Sequence, residues 1–125
     1  MTEELTPAMQ QYLEVIFDLT QKQGEAGVAA IAQQMNVTKS GVSQALDMLK
    51  QLSMISHPRY GKVFLTSKGR KTAQWIRQKH DVLTRFFVEI LGVDADTAEE
   101  DACKIEHVIS RITFNKLLEF LESKE

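Results

Sequence analysis

The chain has a single cysteine, Cys103, and therefore no internal disulfide to staple a small fold. That thiol is a core group, a reactive group or a ligand, and a reducing compartment suits all three. No apolar run approaches the roughly 18 residues that a membrane-spanning helix needs, and the start "MTEELTPAMQQ" lacks the basic-then-apolar order of a secretion signal. A soluble, cytoplasmic protein with no membrane partner is expected. The 125 residues suffice for one core, or for two small units that share a helix. Neither an internal repeat nor a low-complexity segment occurs.

Acidic residues almost vanish from the middle of the chain. Between 28 and 80, Asp47 stands alone against Lys39, Lys50, Arg59, Lys62, Lys68, Arg70, Lys71, Arg77 and Lys79, a balance of +8. Residues 1 to 27 set Glu3, Glu4, Glu14, Asp18 and Glu25 against Lys22, giving -4, and residues 81 to 125 give -6. A basic middle between acidic ends is what a nucleic-acid reader with a separate, carboxylate-rich site requires.

The local pattern is mainly helical. Thr6-Pro7 reads as a cap followed by proline at the first helical position, with Leu13, Ile16 and Phe17 as an apolar stripe up to about Lys22. "QGEAG" breaks that helix. Two short helices follow, about 28 to 35 and 39 to 52, joined by "NVTK", which is the helix-turn-helix pattern. "MISHPRYGKVFLT" then signals a β-hairpin turning at His57 to Gly61, so a winged helix-turn-helix over about 1 to 70 is expected, with a helical unit over 71 to 125. Thr66 or Ser67 caps a helix of about 25 residues that stops at Gly92, long enough to link the nucleic-acid half to something else. Asp96-x-x-Glu99 looks like a capping box for a helix to about Ser110, and "FNKLLEFLE" forms a last short one.

At the start of the second short helix, Thr38, Lys39, Ser40, Ser43 and Gln44 offer hydroxyl, amide and ammonium groups to bases and phosphates. Thr38 and Ser40 are equally readable as helix caps. Arg59, Tyr60 and Lys62 of the hairpin suit phosphate or minor-groove contacts, and a solvated turn is their plain alternative.

The stretch "EEDACKIEHVIS" carries a second chemistry. At about 100° per residue, Glu106 and His107 fall within roughly 60° of Cys103, beside an apolar face of Ala98, Ala102, Ile105 and Ile109. This is either part of a metal site or the polar back of an ordinary helix. His80 lies in line with Ile76, Leu83 and Phe87, which reads equally as a core histidine or an inward ligand. Gln11, Glu14 and Asp18 share one face of the first helix. Oxygen, nitrogen and sulfur donors on three helices favour metal over chance, because buried charge must be paired or coordinated.

"YLEVIFDL", "IAQQMNVTKSGVSQALDMLKQL", "RYGKVFLTSKGRKTA", "RQKH" and "GVD…EEDACKIEHVIS" together resemble, in order and spacing, the iron- and manganese-dependent repressors of the diphtheria toxin repressor and manganese transport regulator family. The likeness runs from about residue 7 to 122. It implies a homodimeric winged-helix repressor of double-stranded operator DNA, with no enzymatic activity, in which a divalent metal joins the first helix to the dimerisation domain. By position, Glu14, His80, Cys103, Glu106 and His107 match metal-binding places. Gln11 stands where relatives have aspartate or methionine and is a weaker, neutral donor. Thr84 and Glu99 stand where iron-type members have a glutamate and a histidine of a second site, and the SH3-like domain of the larger repressors is not expected here. Cys103 leans the metal toward Fe2+, with Mn2+ the alternative. Phe86, Phe87, Ile90, Leu91, Leu117, Leu118 and Leu121 are expected at the dimer interface or in the core. Two rivals remain: a redox-responsive regulator acting through Cys103, and a small metalloenzyme, which would leave the basic segment idle.

Overall fold

The computed structural model describes residues 5–56 and 61–124. The chain divides into two compact units, Met1–Gln74 and Trp75–Glu125.

In the first unit Thr6 takes an extended backbone and its hydroxyl accepts from Met9 N at 3.2 Å, while Pro7, which has no N–H to satisfy, opens helix α1 (Pro7–Gln23). Gly24 ends α1 at φ 82, a left-handed turn that glycine enters without strain. Strand β1 (Ala26–Gly27), α2 (Val28–Met35) and α3 (Lys39–Gln51) follow, and Asn36 turns the chain between the helices at φ 58. Strand β2 (Lys62–Val63) pairs antiparallel with β1, Ala26 opposite Val63 and Gly27 opposite Lys62. An Ile55–Leu65 bridge and a 2.8 Å bond from Ser56 N to Phe64 O join the arms of the expected hairpin. Its turn residues His57 to Tyr60 lie outside the described residues. The wing is thus wider than the hairpin alone, because the segment read from sequence only as a helix break supplies β1. Two residues are too few to show strand alternation.

Leu13, Ile16, Ile31, Val42, Leu49 and Val63, all at 0% exposure, form the centre of this unit's core. Burying each fully contributes roughly 1.5–3 kcal/mol. The unit is the mainly helical, winged helix-turn-helix architecture expected of the sequence. Helix α4 (Ser67–Arg85) begins here and ends in the second unit. Thr66 starts it, donating its hydroxyl to Ser53 O at 2.6 Å and accepting from Gly69 N at 3.0 Å.

In the second unit α4 passes into a π-helical turn, Phe86–Ile90, before Gly92 reverses the chain at φ 72. Helix α5 (Ala95–Ile105) is capped by Asp94, not by Asp96: the Asp94 carboxylate accepts from Thr97 N at 3.0 Å, and that N–H holds it below the usual carboxylate range. Helix α5 stops at Ile105 rather than near Ser110, because Ser110 is instead the cap of α6 (Arg111–Ser123), its hydroxyl accepting from Thr113 N at 3.1 Å. Val82, Phe114 and Leu121 form the core here, with Phe86, Ile90, Leu117 and Leu118 packed against them. Leu121, at 1% exposure, is core rather than surface, whereas Leu91 is 59% exposed. No described helix is long and apolar enough to cross a membrane.

A Cβ on Gly69 would collide with the Met54 carbonyl, a backbone group that cannot swing away. Gly69→Ala is therefore expected to cost about 1–3 kcal/mol, read as a lowered midpoint in thermal unfolding followed by circular dichroism.

Candidate metal centre and nucleic-acid interface

The centre is built on one carboxylate. Glu106 follows the last residue of α5 and is 0% exposed. Its Oε1 lies 2.7 Å from Nδ1 of His80 on α4, a hydrogen-bonding distance. Its Oε2 lies 3.4 Å from Nε2 of His107, whose side chain is 3% exposed. The other nitrogen of His80, Nε2, is 4.0 Å from Oε1 of the exposed Glu99. His80 is therefore flanked by carboxylates at both ring nitrogens.

Cys103 lies on α5, three residues before Glu106. It is exposed and lines an open hollow of about 500 Å³ with His80, Asp96, Glu99 and Glu100. The structure thus brings His80, Glu106 and His107 together in the interior and sets Cys103 with His80 and Glu99 at the surface. The helical wheel drawn from sequence treats Cys103, Glu106 and His107 as one face. Here Cys103 is exposed and Glu106 fully buried, and Glu106 is the C-cap of α5, its backbone still helical and its N–H bonded to Ala102 O. With Asp94 as the cap, Glu99 is no longer a capping-box residue and its carboxylate is available to His80.

Burial, then the charge of Lys79, then that of His80 push the His107 imidazole from 6.5 down to about 4. His107 is thus neutral near pH 7 and keeps a ring-nitrogen lone pair. A buried carboxylate must be met by positive charge or strong donors, and imidazoles with a carboxylate suit a divalent first-row ion. The donor set of the second unit fits such a metal. On α1, Glu14 is half-buried and Gln11 exposed.

In the first unit Lys39, Ser40, Ser43 and Gln44 are exposed along α3, while Val42, Ala45, Leu46 and Leu49 are buried. Thr38 is the α3 cap, its hydroxyl accepting from Gly41 N at 3.0 Å. Lys62 is paired with Glu25 at 2.9 Å, both side chains 47% exposed. Arg59 and Tyr60 lie outside the described residues. Lys79, counted from sequence among the basic residues suited to nucleic acid, is 6% exposed and belongs to the second unit.

Two family models match the chain: "Iron dependent repressor, N-terminal DNA binding domain" over residues 4–63, and "Iron dependent repressor, metal binding and dimerisation domain" over residues 66–125. The HTH-type transcriptional regulator MntR of Oceanobacillus iheyensis is 34% identical over 105 residues, 84% of this chain and 71% of that protein. The structure of IdeR from T. acidophilum superposes with a TM-score of 0.76 at 26% identity, covering 90% of this chain and 53% of that one. The structure of the manganese regulator SloR does so with a TM-score of 0.77 at 26% identity, covering 91% and 53%. The chain spans about half the length of these two solved structures.

The depressed His107 group has a defined consequence for stability. As pH falls from 6.5 toward 4 the unfolded chain takes up a proton that folded His107 refuses, so this group's contribution weakens the fold across that window and not above it. Thermal unfolding of the metal-free protein is expected at lower temperature as pH drops through the window. His107→Gln flattens that dependence.

Proposed function

The chain belongs to the family of iron-dependent repressors, metal-dependent transcriptional regulators, and from that premise we propose that it binds operator DNA as a metal-activated homodimer and governs iron or manganese homeostasis. The observation that carries this reading is the fully buried Glu106 carboxylate set against His80 and His107.

We propose His80, Glu106 and His107 as ligands, with Cys103 from the same unit and Glu14 and Gln11 from α1. A bound divalent ion would supply concentrated positive charge that holds carboxylate, imidazole and thiolate donors in one shell. The chain's residues do the rest. Glu106 offers anionic oxygens in an interior where water does not compete for them. His107 enters neutral, so no proton need leave it near pH 7. Glu14 and Gln11 make α1 the element whose ordering responds to loading, and an ordering cost met before DNA arrives is one that DNA binding no longer bears. Lys39, Ser40, Ser43 and Gln44 then meet base edges and phosphates from the exposed side of α3, with Arg59, Tyr60 and Lys62 of the wing on the backbone and Thr38 holding the helix start.

For the metal, Mn2+ stands level with Fe2+. Imidazoles favour iron and carboxylates manganese, and the relatives include both an iron-named family and a manganese regulator. The lean toward iron depends on the sulfur of Cys103, and that side chain is exposed. The redox reading of Cys103 draws no support from the relatives.

Duplexes selected from randomised DNA by the Mn2+-loaded protein provide the test. Fluorescence anisotropy is expected to show binding weakened more than about tenfold by chelator and restored by Mn2+ or Fe2+, with Glu106→Gln losing that response. Affinity unchanged by chelator and by either metal would sink the proposal.

A further inference from the structure

Gly41 is a glycine that the fold does not require. It lies in the first turn of α3 with ordinary helical backbone, whereas the glycines at positive φ among the described residues are Gly24, Gly61 and Gly92. Nor is it packed shut. Beyond the backbone of α3 and the adjoining residues, a Cβ there would meet, among the described residues, Thr38 Oγ1 at 3.4 Å and Val37 Cβ at 4.0 Å, both ordinary contacts. Gly69 is the contrast, since the Met54 carbonyl leaves no room for a side chain at that position. A helix disfavours glycine against alanine because glycine loses more conformational freedom on folding. At this one place the composition of α3 therefore works against its own stability.

The missing side chain leaves a notch of methyl size on a half-exposed flank of α3. Val37 forms one wall. It is 41% exposed, and its position is fixed by its N–H, which donates to Ala32 O at 3.0 Å, and by the left-handed turn at Asn36. Thr38 forms the other wall, its hydroxyl engaged by Gly41 N at 3.0 Å. Gln44, three residues on, is exposed, and Met48, seven residues on, is 49% exposed, so both continue along the same side of the helix. An aliphatic wall beside an amide matches the major groove, where thymine presents a 5-methyl group and adenine pairs bidentately with glutamine.

We propose that the Gly41 notch, walled by Val37, receives the 5-methyl group of an operator thymine close to the adenine that Gln44 addresses. Gly41 is a specificity-determining residue through the side chain it lacks: the helix backbone comes near the base edge, and Val37 favours a methyl over the polar amino group of cytosine. This rests on the reading of α3 as the element that meets base edges.

A duplex selected from randomised DNA by the Mn2+-loaded chain is remade with deoxyuridine in place of one thymine at a time, which removes the methyl and keeps the base pairing. Fluorescence anisotropy gives the affinities, and the thermal midpoint of each protein is recorded alongside. In the parent chain at least one such exchange is expected to weaken binding roughly fourfold, and Val37→Ala shrinks that difference between the two duplexes. Gly41→Ala fills the notch. It is expected to bind the thymine duplex roughly tenfold more weakly, to recover most of that loss on the deoxyuridine duplex, and to unfold at a higher temperature. A packing defect does not yield a protein that is more stable, weaker on thymine and rescued by uracil. A parent chain indifferent to every exchange, or Gly41→Ala binding both duplexes alike, overturns the inference while leaving DNA binding standing. A loaded chain that selects no duplex removes the reading of α3 and this inference with it.

Discussion

A carboxylate with no access to water is the constraint around which the second unit is organised. Glu106 cannot be left bare in an interior of low dielectric, and the residues in and beside its surroundings answer that demand at different strengths. His80 gives a short hydrogen bond, and His107 a longer contact through a neutral ring. A donor set assembled to satisfy one anion is also one that a divalent ion can enter. Coordination chemistry here grows out of an ordinary requirement of protein interiors.

The first unit solves a different problem: exposing polar groups on an end of a helix whose other face is core. Val42, Ala45, Leu46 and Leu49 anchor α3, and the tightness of that face is what holds Ser40, Ser43 and Gln44 at fixed positions outside. Thr38 spends its hydroxyl on Gly41 N, so its task is structural before it is recognitional. Lys62 is similarly engaged with Glu25. A half-exposed pair of that kind is weak, and a phosphate can replace the carboxylate at small cost.

Much of this was legible in the chain because it is written in local chemistry. Thr6-Pro7, Thr38 and Gly92 mark helix ends through their own hydrogen bonds or dihedral freedom, and no distant residue is needed to interpret them. Helix α2 was read at its observed bounds for the same reason. Errors arose where neighbours compete or distant segments decide. Asp94 and Asp96 are both credible caps, and only backbone geometry selects the first. The end of α5 depends on Ser110 capping the next helix. Strand β1 exists only because Lys62 and Val63 come to lie beside it. Of the donors, His80, Glu106 and His107 were visible as residue types at suggestive spacings, but the exposure of Cys103 and the burial of Lys79 are properties of tertiary packing. In sequence Lys79 is one more base in a basic run.

The π-helical turn at Phe86–Ile90 changes how the end of α4 must be read. A π turn accommodates one residue more than an α turn does, so it acts as a phase slip in the helix. The face that runs through Ile76, His80 and Leu83 does not continue in step beyond Arg85. Val88 and Leu91 lie outside at 37% and 59% exposure. One helix therefore presents two unrelated faces in succession: an inward one that carries a histidine, and an outward apolar one near the Gly92 turn. A single inserted residue is enough to separate the two, and neither face has to compromise its composition for the other.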